Sequence, residues 1–152
     1  MSTLHRSFWT GLEVRVTDPA AIMQVGALCV RQGKAGQEVL LVNSSRGRWI
    51  NPKGWPMAGL TDAETAKIEA WEEAGVNKGN VSKTSVGGYV TEKRFDDGRT
   101  VPCHVDVFRI DVKEMTKTYP EAAMRKRKWT SSKKAAKKVG DAGLKALLSA
   151  LH

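Results

Sequence analysis

Glu69, Glu72 and Glu73 stand at i, i+3 and i+4 in the chain. On a helix, at about 100° per residue, they fall within one arc roughly 100° wide. Three carboxylates held this close repel one another. A hard divalent cation bound by oxygen ligands relieves that repulsion, and Mg²⁺ or Mn²⁺ suits such a set. A solvated acidic helix face has the same spacing, so the pattern alone leaves both readings open.

The rest of the chain leans the other way in charge. It has 25 Lys and Arg against 16 Asp and Glu, a formal net charge of +9. That excess favours anionic partners (nucleotides, polyphosphates, nucleic acid or an anionic membrane) without choosing among them. Two basic runs, Arg125 to Lys128 and Lys133-Lys134 with Lys137-Lys138, read as solvated faces. They have little aromatic interleaving beyond Trp129, which is weak support for a stacking platform for single-stranded nucleic acid. Lys53 is placed to reach a phosphate, and Arg48, Lys93, Arg94 and Arg99 are donors that could line a polyanion site. His104 reads as a side chain packed on its strand.

These side chains need elements to position them. The 152 residues, 41% hydrophobic and 27% charged, describe one globular domain rather than a disordered chain. Residues 1–20 lack a clear period and read as a tail or edge segment, with a single domain over 21–152. No apolar run approaches the roughly 20 residues of a membrane span, and the N-terminus has no apolar core of a signal peptide. Cys29 and Cys103 sit in apolar, strand-like segments, as buried thiols in a reducing compartment would, which points to the cytoplasm.

Gln24 to Val30 and Glu38 to Asn43 read as a hairpin whose turn spans Arg31 to Gly36. Asn51-Pro52-Lys53-Gly54-Trp55-Pro56 excludes a helix. Thr61 or Asp62 begins a helix that runs to Ala74, with Glu64 completing a capping box and Gly75 as the stop. Ala63, Ala66, Ala70 and Ala74 form the next arc of that helix and allow close approach to a sheet. Ser85 to Phe95 and Thr100 to Val112 read as strands joined by the turn Asp96-Asp97-Gly98-Arg99. The apolar phase changes between Val101-Cys103-Val105-Val107 and Phe108-Ile110-Val112, which a bulge near Val107 would explain. A short basic helix follows Ser131 or Ser132, and Asp141 caps a last helix striped by Leu144, Leu147, Leu148 and Leu151. The whole reads as an α/β domain with a mixed sheet.

The stretch from Gly54 to Val76 resembles the Nudix box, G-x5-E-x7-R-E-U-x-E-E-x-G-U with U aliphatic. Gly54, Glu69, Glu72, Glu73, Gly75 and Val76 match in register, and Ala70 stands at a U position. The entry Arg48 to Gly54 and the later Arg127-Lys128-Trp129 are also similar to that family. The resemblance implies the Nudix fold, an α/β/α sandwich around a mixed sheet, and metal-assisted attack of water on a diphosphate linkage. It implies Mg²⁺ or Mn²⁺ on Glu69, Glu72 and Glu73, with the Gly54 carbonyl as a further ligand. The same glutamates are the catalytic candidates, with Glu121 or Glu92 as a base from outside the box. Pro52-Lys53-Gly54 and the basic loops look most like the branch acting on diadenosine polyphosphates and diphosphoinositol polyphosphates. Removal of pyrophosphate from RNA 5′ ends is a less favoured substrate for the same chemistry.

Two positions depart from the box. Leu60 replaces the usual glutamate and Ile68 the usual arginine. An arginine at 68 could pair with Glu72 four residues on and orient it. Without it, repulsion is expected to raise carboxylate pKa values. Ile68 packed against Leu60 would be an apolar replacement for a polar pair. The departure also admits a second reading, a Nudix fold that has lost turnover and binds a nucleotide or nucleic acid as a regulatory module.

Overall fold

The computed structural model describes residues 9–10, 22–44 and 46–151. Among the described residues, nine strands and three helices follow in the order β1 (Trp9–Thr10), β2 (Ile22–Gly33), β3 (Gly36–Asn43), β4 (Trp49–Ile50), β5 (Lys53–Gly54), α1 (Asp62–Ala74), β6 (Val76–Val81), β7 (Gly87–Arg94), β8 (Thr100–Met115), β9 (Arg127–Ser131), α2 (Ser132–Lys138) and α3 (Ala142–Ser149). The sheet runs β1-β7-β8-β2-β3-β4, with β5 added to β2, β6 to β8 and β9 to β3. The β2–β8 and β1–β7 ladders are parallel and the others antiparallel, so the sheet is mixed. Of the N-terminal segment, Trp9–Thr10 pairs with Gly88 and Tyr89; the remainder of 1–20 lies outside the described residues.

The central strands are apolar on both faces because both are covered. Leu28, Val30, Val39 and Leu41 pack with Ala135, Val139, Leu144, Leu147 and Leu148 under α2 and α3. Val25, Ala27, Cys29, Leu40 and Val42 pack with Ala66, Ala70 and Ala74 of α1. The result is the expected α/β/α sandwich. Both cysteines are free and buried. Among the described residues no helix is long and apolar enough to cross a membrane.

The phase change in β8 has a different cause from the expected bulge. Its register with β2 runs unbroken from Cys103 to Asp111. Cys103, Val105 and Val107 face α2 and α3, whereas Phe108 and Ile110 face the side of α1. The strand passes from one helical layer to the other, and its apolar residues change face with it. Beside it, β7 pairs as far as Val107 and β6 takes over from Ile110. Irregular register occurs instead between Val76 and Gly79, opposite the end of β8. The first hairpin is also tighter than the sequence suggested. Arg31, Gln32 and Gly33 remain in β2 and pair with β3, leaving Lys34-Ala35 as the turn.

Candidate active site

Helix α1 forms as its sequence requires. The Thr61 hydroxyl accepts from the Glu64 N–H at 3.1 Å, and the Glu64 carboxylate accepts from the Thr61 N–H at 2.8 Å. Gly75 closes the helix in the left-handed region at φ 74°, donating to the Trp71 carbonyl. Ala66, Ala70 and Ala74 have no exposed surface, so the helix lies close on the sheet. That seating carries the adjacent arc inward. Glu69 and Glu73 retain only 7% and 5% exposure, while Glu72 is half-buried at the rim.

β5 brings the second part of the site beneath the helix. Gly54 pairs with Val25, and Lys53 with Gly26. A Cβ at Gly54 would stand 2.5 Å from Oε1 of Glu69 and closer still to the rest of its carboxyl group. Only glycine allows that approach. The Lys53 N–H donates to Oε1 of Glu73 at 3.4 Å, and Arg125 Nη2 faces Oε2 of Glu73 at 3.7 Å. The Glu69 carboxyl lies close enough to that of Glu73 for the two to influence each other.

Burial is the main cause of the upward pKa shifts of these acids. It pushes Glu73 up to about 8, with Glu69 and Glu121 adding to the rise and Arg125 opposing it. Glu69 is raised by burial and then by Glu72. The expected rise is therefore present, but desolvation leads it, and the helix does not lack a cation. Arg125 supplies one from the segment between β8 and β9.

Of the two acids named outside the box, Glu121 joins the cluster. Its N–H donates to the Glu72 carbonyl at 3.0 Å, and its carboxylate accepts from Arg125 Nε at 2.5 Å. Glu92 lies elsewhere, among the basic residues of a cavity of about 260 Å³. Arg46, Arg48, Lys53, Lys93 and Arg94 line that cavity with Tyr89, Thr91 and Asp141. Four of the five predicted phosphate-binding residues thus share one hollow, and Arg46 joins them. Arg99 does not line it; its guanidinium stacks on Phe95 and pairs with Asp97 at 3.6 Å. Lys53 Nζ donates to Gln24 Oε1 at 2.9 Å, and burial lowers its pKa. The segment before Lys53 is fixed by Asn51, whose amide accepts from the Tyr89 hydroxyl at 2.7 Å and donates to the Pro52 carbonyl. His104 is buried on β8.

Leu60 and Ile68 meet in a shallow groove on the outer side of α1, with Trp71 and Val76. The two departures from the box thus line one apolar surface. The basic runs divide by secondary structure. Lys133, Lys134, Lys137 and Lys138 are exposed, but Arg125 and Arg127 are half-buried against α1 while Lys126 and Lys128 face out. Arg127 Nη1 donates to the Ala74 carbonyl at 2.8 Å. Trp129 carries Arg31 stacked on its ring, 4.2 Å from the centroid.

The acidic cluster suits a hard divalent cation in its donors and its burial. The Glu69 carboxylate lies against Gly54 where a Cβ would displace it, and burial disfavours the carboxylate charges unless a cation compensates them. Among the described residues no three acidic side chains stand in ligating geometry around one point. Glu73 is turned to the Lys53 N–H and Arg125, and Glu69 to Glu73.

The NUDIX domain model matches residues 22–151. An Ap4A hydrolase from C. elegans is similar in structure, with TM-score 0.60 and 19% identity over 85% of this chain and 94% of that one. A mutator MutT protein from Bacillus halodurans has TM-score 0.57 and 27% identity, covering 84% of this chain and 79% of its own. A NUDIX hydrolase described as putative in Listeria monocytogenes has TM-score 0.60 and 17% identity over 84% and 89% of the two chains.

Proposed function

The chain belongs to the NUDIX domain family, as a pyrophosphohydrolase of that family, and we propose that it hydrolyses dinucleoside polyphosphates with Mg²⁺ or Mn²⁺ held at α1. Glu69, Glu72 and Glu73 would hold the ion together with the Gly54 carbonyl. Bound there, it would neutralise phosphate charge and lower the pKa of a water molecule.

The observation that carries this reading is the position of Lys53. Its N–H touches Glu73, and its side chain lines the basic cavity. A diphosphate cut at the acidic cluster would therefore have its remaining phosphates within reach of Lys53, Lys93, Arg94, Arg46 and Arg48. Arginine forks bind phosphate oxygens in pairs, and lysine adds point charge. These cations orient the chain of phosphates, while α1, seated on the sheet, fixes where the carboxylates meet it. Glu121, beside Glu69 and Glu73, is the acid best placed to take a proton from the attacking water. The structural likeness to an enzyme named for Ap4A hydrolysis favours a dinucleoside polyphosphate over a diphosphoinositol polyphosphate.

A substrate panel tests this directly. Dinucleoside polyphosphates, diphosphoinositol phosphates, sugar nucleotides and 5′-triphosphorylated RNA are each incubated with catalytic amounts of protein and Mg²⁺ or Mn²⁺. The expected result is fastest turnover of the dinucleoside polyphosphates. Faster turnover of another class reassigns the substrate, and no turnover of any class rejects the enzymatic reading.

A further inference from the structure

We propose that Arg125 is the positioning residue of the acidic site, doing from a loop what the family's box assigns to an arginine at position 68. The inference rests on the metal site proposed above. Ile68 cannot orient a carboxylate and lies in the groove on the outer side of α1. Arg125 reaches the cluster from the opposite direction. Its three nitrogens are all engaged: Nε with Glu121 at 2.5 Å, Nη2 with Glu73 at 3.7 Å, and Nη1 with the Asn43 carbonyl at 2.9 Å. One guanidinium therefore ties an acid of the helix, an acid of the loop and the end of β3 into one arrangement. With the Lys53 N–H on the other oxygen, Glu73 is held at both ends of its carboxylate.

The loop can deliver this cation because its backbone is fixed to α1 independently. Thr116 N–H donates to the Gly75 carbonyl at 2.9 Å, and Glu121 N–H to the Glu72 carbonyl at 3.0 Å. Arg127 caps the Ala74 carbonyl, and Lys126 N–H donates to Asn43 Oδ1 at 2.8 Å. None of these contacts uses the Arg125 side chain, so its effect on the carboxylates should be separable from folding of the loop.

A guanidinium beside a cation site also repels the incoming ion. If that repulsion dominates, Arg125→Met should bind metal more tightly. If orientation of Glu73 and Glu121 dominates, the variant should bind more weakly, by roughly 10- to 100-fold as for other residues that orient metal ligands. The test is Mn²⁺ affinity, read from the loss of the free-ion electron paramagnetic resonance signal. It is measured for the wild type, Arg125→Met, Arg125→Lys and the double variant Ile68→Arg with Arg125→Met, each with its Tm. The expected results are weakening in Arg125→Met and an intermediate affinity in Arg125→Lys. In the double variant, part of the affinity returns, because Ile68→Arg restores a cation four residues before Glu72 without rebuilding the bond to Asn43. Wild-type binding that Arg125→Met leaves equal or tighter overturns the positioning role while sparing the metal site. A double variant no tighter than Arg125→Met overturns the exchange between the two positions. Absence of Mn²⁺ binding in the wild type overturns the metal site and this inference together.

Discussion

Glu73→Gln should make the metal-free protein more stable at alkaline pH while weakening its response to metal. Burial raises the Glu73 carboxyl from its ordinary 4.5 to about 8. The fold therefore favours the protonated acid more than the unfolded chain does. Its contribution to stability is complete below about 4.5 and is lost as pH rises through about 8. At about 1.4 kcal/mol per tenfold in proton affinity, the gap between those values caps the loss at roughly 5 kcal/mol. Glu69 shares the same field, so the two carboxyls titrate together and about 2 kcal/mol is expected for Glu73 alone. For a domain of this size that is about 4–8 °C in Tm. Glutamine keeps the shape and has no charge to bury. In excess chelator, the two proteins should melt together near pH 4.5 and diverge steadily to pH 9, with Glu73→Gln the more stable. Added Mg²⁺ should raise the Tm of the wild type and leave that of the variant nearly unmoved. Parallel Tm curves across the pH range would refute the claim that burial of this charge is costly. An equal Tm gain from Mg²⁺ in both would refute its role as a ligand.

Three further outcomes follow from the same geometry. Gly54→Ala should cut Mn²⁺ affinity and kcat by at least about tenfold, because its Cβ would displace the Glu69 carboxylate; titration and steady-state kinetics with unaltered values would show the close approach to be unimportant. Lys53→Met or Arg94→Met should raise KM more for longer polyphosphates than for short ones, and added salt should produce the same trend; equal losses at every phosphate number would remove the case for the basic cavity. Ile68→Arg alone should leave kcat within about twofold and Tm within about 2 °C, since Arg125 already supplies the cation and the new side chain can extend into solvent from a shallow groove. A several-fold rise in kcat would show that the helix was short of a cation after all.

The sequence told most where one residue pattern has one physical solution. The capping box at Thr61, the stop at Gly75 and the alanine arc gave α1 its limits and its seated face, and therefore the side to which Glu69 and Glu73 turn. Lys53, Lys93, Arg94 and Arg48 line one cavity, whereas Arg99 at a hairpin tip has local partners in Phe95 and Asp97. Elements lacking a strong local pattern were less legible. β6, Val-Asn-Lys-Gly-Asn-Val, has few apolar residues and is a strand because β8 extends past β7 to pair with it. β9 is hidden in a basic run whose alternation shows only once β3 is beside it. Arg125 was unreadable for the same reason. In sequence it is one cation among several, and what distinguishes it is a loop pinned to the carbonyls at the end of α1. The missing arginine at 68 was the available signal that a cation had to come from elsewhere.

The most direct test of the account is hydrolysis of diadenosine tetraphosphate in ¹⁸O-labelled water, followed by ³¹P NMR and mass spectrometry of the products. It is run with Mg²⁺, with excess chelator, and with Glu72→Gln in Mg²⁺. Turnover with ¹⁸O placed in one phosphate product is expected, and that turnover should fall by orders of magnitude with chelator or in the variant, which should remain folded. Undiminished hydrolysis in chelator, or in folded Glu72→Gln, would contradict a metal-dependent pyrophosphohydrolase site on α1.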